Sequence, residues 1–254
     1  MSAAGRFAGA ARGGDRAALV TILEGAAAGA KLLVLPDGAT EGSLGGPGLD
    51  RDAIALAEEL MWSERSELHE VAGTRLFVDV TAPPPRLVVF GAVDFAGALC
   101  RMARGAGWRP FIVDPRARFA TLERFPEAED VVAAWPAEAF ARLGGIDRAT
   151  YIAVLTHDPK LDDAALQIAL ASDAAYVGAM GSRRAQAKRR DRLLAAGVPE
   201  EQLARIAAPI GLDLGALTAE ETALSIMAEV VAVRNGREGG RLSRAAGRIH
   251  EVGA

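Results

Sequence analysis

Between residues 86 and 196, short apolar runs alternate with stretches of helical character, and few folds accept that rhythm. Residues 86–90, 109–113, 130–132, 151–155 and 175–177 read as strands; residues 95–106, 162–171 and 182–196 read as helices. Strands joined by helical crossovers predict a parallel, doubly wound α/β sheet with right-handed connections. A last helix is expected over 219–234. Thr218 is a good N-cap, Glu221 three residues on completes a capping box, and Gly236 can end the helix.

The preceding segment has a different character. Residues 18–23 and 31–35 read as strands, with a tight turn at Pro36, Asp37 and Gly38 before a further short strand. A helix is expected over 50–62, where Ile54, Ala57 and Met61 share a face. Residues 66–71 and 76–80 read as a closing pair of strands. Pro83, Pro84 and Pro85 suit neither a central strand nor a helix interior, and they predict a stiff connector between domains. The expected organisation is a small α/β domain over 1–82, a doubly wound domain over 86–236, and a loosely ordered, glycine- and arginine-rich tail over 237–254.

Composition narrows the function classes. The 29 basic and 33 acidic residues leave a net charge of −4, which argues against a general nucleic-acid binder. Cys100 is the only cysteine, so neither an internal disulfide nor a cysteine-pair metal site is possible. It is expected to be a small core residue beside Leu99 and Met102. His69 and His250 have no metal partners near them in sequence. The first residues lack the apolar core of a secretory leader, and no stretch approaches the ~18 apolar residues of a membrane span. The chain therefore reads as cytoplasmic, with no membrane partner.

Three loops carry the chemistry. Gly91, Ala92, Val93 and Asp94 follow a buried strand and open a helix, the context of a dinucleotide fingerprint. Asp114 ends the next strand, 23 residues after Gly91. The middle glycine is replaced by Val93, whose side chain is expected to obstruct a pyrophosphate. The turn therefore reads as Rossmann-like without ordinary NAD(P) or FAD binding, and a different ligand stays open. Thr156, His157 and Asp158 end the fourth strand, across the topological switch point from the Gly91 loop. Gly181, Ser182, Arg183 and Arg184 follow the fifth strand. Two arginines in the first turn of a helix are unfavourable unless an anion compensates them, so a phosphate or carboxylate is expected there. Further along that helix, Lys188, Arg189, Arg190 and Arg192 read as a solvated basic face. The turn-rich loop over 208–215 says only that a rigid connection precedes the last helix. No nucleophile sits in a recognisable elbow and no catalytic pair stands out, so a binding protein is favoured over an enzyme.

These residues resemble a known family. Leu-Val-Val-Phe-Gly-Ala at 87–92, Val-Asp-Pro-Arg at 113–116 and Leu-Thr-His-Asp-Pro-Lys at 155–160 are blocks of it. So are Tyr-Val-Gly-Ala-Met-Gly-Ser-Arg-Arg at 176–184, Ala-Pro-Ile-Gly-Leu-Asp-Leu-Gly-Ala at 208–216 and the helix over 220–234. In this order they are similar to the XdhC/CoxI family, the accessory factors of xanthine dehydrogenase and carbon monoxide dehydrogenase.

The resemblance implies a maturation factor that binds molybdenum cofactor, as molybdopterin or its cytosine dinucleotide form, and delivers it to a molybdenum hydroxylase. It also implies an amino-terminal α/β domain, a Rossmann domain and a homodimer. The cofactor phosphate would lie at Arg183 and Arg184, with Gly91, Asp94, Asp114, Thr156, His157, Asp158, Gly181 and Ser182 around it. The chain departs from the family pattern at several points. Pro47 stands in Gly45-Gly46-Pro47-Gly48-Leu49 where many members have a cysteine, and the Gly25–Gly29 stretch lacks the common hydroxyls and arginine. Val93 and Asp94 replace a glycine and often a histidine, and Ala207 stands where a histidine is common. Alternatives are an oxidoreductase using NAD(P) or FAD, and a divergent paralogue that only docks a client.

Overall fold

The structure is a computed structural model that describes residues 2–245. These divide into two compact units, residues 2–83 with 242–245, and residues 84–241. The carboxyl-terminal part of the expected tail, from residue 246, and with it His250, lies outside the described residues. Among the described residues no helix is long and apolar enough to cross a membrane.

The first unit is a five-stranded antiparallel sheet with a helix on each face. Its strands are β1 (Ala17–Ile22), β2 (Lys31–Val34), β3 (Thr40–Gly42), β4 (Glu67–Val71) and β5 (Thr74–Thr81), in the order β3-β2-β1-β5-β4. Alternation along β1 decides what each face buries. Ala18, Val20 and Ile22 join Leu32, Leu76 and Val78 under helix α2 (Pro47–Ser63), which contributes Ala53, Ala57, Leu60 and Met61. Ala17 and Leu19 point the other way, with Leu33, toward helix α1 (Ala3–Gly13). Sequence reading missed α1 because its buried face is built of alanine; the 3-4-7-10 spacing of Ala3, Ala4, Phe7 and Ala10 is the signal that could have found it.

The second unit holds a six-stranded parallel sheet. Its strands are β6 (Arg86–Phe90), β7 (Arg109–Val113), β8 (Asp130–Val132), β9 (Thr150–Val154), β10 (Tyr176–Ala179) and β11 (Ile206–Ala207). The order is β11-β10-β9-β6-β7-β8, and every pairing is parallel. Counted within the unit this is 6-5-4-1-2-3, the doubly wound order whose direction reverses between β6 and β9. Helices α3 (Asp94–Gly105) and α8 (Ala219–Arg234) cover one face, where Leu99, Cys100, Ile226 and Val230 meet Leu87, Val89 and Ile112. Helices α4 (Pro136–Arg142), α5 (Pro159–Leu170) and α6 (Arg183–Ala195), with the short α7 (Glu200–Leu203), cover the other. The capping box of α8 is present in both directions, between Thr218 and Glu221. Sequence reading did not register α4, α7 and β11, which are too short to show a periodicity.

Candidate functional site

The reversal between β6 and β9 separates the loops that leave their carboxyl ends, and such a crevice is where open α/β sheets bind ligands. On one side is the Gly91 turn. Gly91 has φ +116°, and a Cβ there would lie 2.5 Å from Thr156 Cγ2, so the turn runs hard against the β9 loop. Only glycine satisfies both conditions. Val93 forms the N-cap of α3 without a side-chain cap bond and packs toward the core. Asp94 is 96% exposed and lies 3.8 Å from Arg124.

Asp114 does not face the crevice as a ribose acceptor would. Its side chain is fully buried, and both oxygens are used internally. Oδ1 accepts from the Arg116 N–H (2.9 Å) and Nε (2.8 Å); Oδ2 accepts from the Ala92 N–H (2.9 Å) and Arg116 Nη2 (2.6 Å). A carboxylate has about four lone-pair sites, and all four are occupied. Burial pushes the Asp114 carboxyl up, but the bonds from Arg116 and the Ala92 N–H outweigh it and hold it below the ordinary range. Arg116 carries the opposite shift: the hydrogen bond to Asp114 raises it, and the nearby Asp158 carboxylate adds to that.

The β9 loop is organised from below. Thr156 is buried; its hydroxyl donates to Asp162 and accepts from the Asp158 N–H at 3.2 Å. Asp158 caps α5 by accepting from the Lys160 N–H at 3.0 Å, and His157 is exposed. Asp162 also accepts from Arg189 Nη2 at 2.9 Å, and that same nitrogen donates to the Met180 carbonyl at 3.1 Å. Arg189 Nη1 donates to Gln186, whose amide in turn donates to the carbonyls of Ala179 and Gly181. One buried polar chain therefore joins the β9 loop to the turn that starts α6. Burial pushes the Asp162 carboxyl above its ordinary range, with Thr156 and Arg189 opposing.

Arg189 corrects the expectation of a solvated face from Lys188 onward. It lies on the inner side of α6, where the carboxylate of Asp162, 27 residues earlier, receives it. Its neighbours behave as expected of a surface: Arg190 pairs with Glu200, and Arg192 with Asp163 at 2.6 Å.

The α6 start is exposed. Gly181 turns with φ +133°, and Ser182 Oγ accepts from the Ala185 N–H at 3.2 Å as N-cap. The first turn contains no acidic residue. Among the described residues, Arg183 and Arg184 are exposed and have neither an ion-pair nor a hydrogen-bond partner. The 208–215 loop packs against the end of β10. The Ile210 N–H donates to Ala179 (3.1 Å), and the Gly211 N–H donates to Glu229 (2.9 Å), which also accepts from the Tyr176 hydroxyl. Burial, with that bond, raises the Tyr176 hydroxyl well above its usual range.

Cys100 is fully buried, and burial, with the Glu127 carboxylate adding to it, pushes its thiol up to about 12; it is a core residue. His69 pairs with Glu67 at 2.9 Å, and among the described residues no group of three His, Cys, Asp or Glu could hold a metal. The residues that sequence reading missed are Arg116, Asp162 and Arg189. The first is visible in the Val-Asp-Pro-Arg block; the other two depend on a contact between distant helices.

The chain is similar to known proteins. The XdhC Rossmann domain matches residues 87–230, and the XdhC and CoxI family matches residues 10–72. The chain is 26% identical over 230 residues to the uncharacterized protein YqeB of Escherichia coli K12, covering 85% of this chain and 42% of that one. It is 29% identical over 161 residues to a probable component of xanthine dehydrogenase from Bacillus subtilis, covering 63% and 46%. It is 31% identical over 152 residues to the molybdenum cofactor insertion chaperone PaoD of E. coli, covering 60% and 41%. The chain thus spans less than half the length of these relatives. The crystal structure of a xanthine dehydrogenase from Bacillus halodurans shares the fold, with a TM-score of 0.63 at 23% identity, covering 92% of this chain and 66% of that one. By these two matches, the first of which covers more than half of its residues, the chain belongs to the XdhC and CoxI family.

Proposed function

We propose that this protein binds molybdenum cofactor and hands it to a molybdenum hydroxylase of the xanthine dehydrogenase or carbon monoxide dehydrogenase type. The observation that carries the reading is the pair of unpartnered guanidiniums, Arg183 and Arg184, on the Ser182-capped start of α6. Exposed backbone N–H groups, the helix dipole and two cations converge there without an internal anion, which suits a phosphate monoester. The kinship with a cofactor-insertion chaperone supports the same class of ligand.

The residues present fit the phosphate end of such a cofactor better than its metal. Pro47 removes one thiol, and Cys100 is sealed in the core, so this chain offers the molybdenum no thiolate. The protein would hold the ligand by its phosphate and ring system and leave the metal end for the client. Binding and handover, with no turnover, follow from that, and affinity for the cofactor must fall when the client docks. The working form on this reading is a cytoplasmic homodimer.

The test is anaerobic titration of the full chain with molybdenum cofactor, followed by ligand-induced thermal stabilisation. Saturation at ~100 times Kd corresponds to ~2.7 kcal/mol. Arg183→Ala with Arg184→Ala should abolish the shift; an unchanged shift would refute the site.

A further inference from the structure

Helix α6, the short helix α7 and the edge strand β11 line a cavity of about 200 Å³ that the proposed phosphate site does not use. Neither Ser182, Arg183 nor Arg184 is part of its wall. Leu193, Leu203 and Ile206 give it an apolar floor, and Ala187 and Arg190 are exposed at its rim. Its polar wall is Gln186 and Arg189.

Both charged residues of the lining are countered within the chain. Arg189 pairs with Asp162 at 2.9 Å, and Arg190 pairs with Glu200. No acidic residue lines the cavity. An ion entering it would lose hydration and meet no uncompensated charge, so the chemistry of the wall selects an uncharged guest.

The wall does hold a spare donor. A guanidinium has five N–H groups. Arg189 uses three of them, on Gln186, Asp162 and the Met180 carbonyl. Its Nε is buried and has no hydrogen-bond partner among the described residues. Gln186 has nothing left to offer it. The Gln186 amide donates to the Ala179 and Gly181 carbonyls at 3.1 and 3.2 Å, and its oxygen accepts from Arg189 Nη1. A buried donor without an acceptor is costly, and buried polar groups are paired in nearly all proteins. Size limits what can bring the acceptor. A cavity of roughly 150 Å³ with an aliphatic lining holds benzene. One of about 200 Å³ admits a single six-membered ring with one small substituent.

We propose that this cavity binds a small uncharged molecule, one ring bearing a carbonyl oxygen. The ring lies on Leu193, Leu203 and Ile206, and the oxygen accepts from the Arg189 guanidinium. Gln186 and Arg189 also brace the turn before α6 and the β9 loop, so the guest touches the polar chain that joins those two loops.

Benzamide is the probe, because it has the ring, the carbonyl and no charge. The full chain is titrated with it by ligand-detected NMR, beside benzene, benzoate and benzylamine. Benzamide should bind saturably. Benzene, which lacks the acceptor, should bind about tenfold more weakly, the loss of one charge-assisted hydrogen bond. Benzoate and the protonated amine should also bind more weakly than benzamide. Ala187→Trp places an indole across the rim at an exposed helix position, and should abolish binding without moving the unfolding midpoint. Arg183→Ala with Arg184→Ala should leave benzamide binding unchanged.

A measurement on the unaltered protein needs no variant to fold. In its proton–nitrogen correlation spectrum, the Arg189 Nε–H resonance should move with benzamide and stay in place with benzene. No saturable binding up to the solubility limit, benzoate as tight as benzamide, or binding indifferent to Ala187→Trp would each overturn the proposal. So would binding lost with Arg183 and Arg184, or an Arg189 resonance that benzamide leaves unmoved. None of these readouts involves molybdenum cofactor, so the cavity site and the proposed function fail separately.

Discussion

Arg189 Nη2 lies 2.9 Å from Asp162 Oδ2, with the two side chains only 6% and 3% exposed, and this pair joins two loops of the candidate site. It connects Thr156 on the β9 loop to the Met180 carbonyl before α6. A buried pair of this kind is weak evidence of net stability, because desolvation opposes the attraction. Its contribution here is positional.

Breaking the pair from one side should be severe. Arg189→Met leaves the Asp162 carboxyl buried with only Thr156, and the expected loss is about 3–5 kcal/mol. Arg189→Met combined with Asp162→Leu should recover much of that loss while still impairing ligand binding. Urea unfolding and ligand titration of the three proteins distinguish stability from positioning.

The α6 start should behave in the opposite way. Arg183 and Arg184 stand where the helix dipole is positive, with no acid in the first turn. Replacing both by alanine should leave the ligand-free protein as stable as before or up to about 1 kcal/mol more stable, with a weaker dependence on added phosphate. Thermal unfolding at low ionic strength, with and without phosphate, reads both effects.

Asp114 sets an acid limit. Its folded-state carboxyl titrates below the ordinary 3.8, so the native state binds fewer protons than the unfolded chain in that window. Its stabilisation is complete above that pH and is lost as pH falls through the folded value. Asp114→Asn should cost about 1.5–3 kcal/mol at pH 7, and its deficit relative to wild type should shrink below pH 4. Denaturant midpoints at pH 7, 4 and 3 test the sign.

The contact between Gly91 and Thr156 predicts a specific rescue. Gly91→Ala places a methyl 2.5 Å from Thr156 Cγ2 at a left-handed φ, and should destabilise by about 2–4 kcal/mol. Thr156→Ser removes the clashing methyl and keeps the hydroxyl bonded to Asp162. The double variant should regain part of the loss, with the backbone strain remaining. A double-mutant cycle by urea unfolding measures that coupling.

Much of this architecture is legible in the chain because the signals are local. The apolar runs that became β6, β7, β9 and β10 are bounded by their own turns, and the capping box of α8 lies within four residues. Strand order follows from alternation of strand and helix, so the Gly91, Thr156–Asp158 and Gly181–Arg184 loops could be assigned to one edge of the sheet before any coordinates. Helix α1 escaped notice because its contacts are made by alanines.

By itself, then, the sequence determined the longer elements, their order and the family, because these depend on periodicity and on residues close together along the chain. Tertiary structure alone decided which charges are free. Asp114 turns inward because Arg116 and the Ala92 N–H fill its four acceptor sites, and Arg189 is buried because Asp162 awaits it from another helix. Arg183 and Arg184 are left unpaired because no described acid reaches them. A charged side chain's role depends on which distant partner arrives within about 3 Å, and no local pattern encodes that distance.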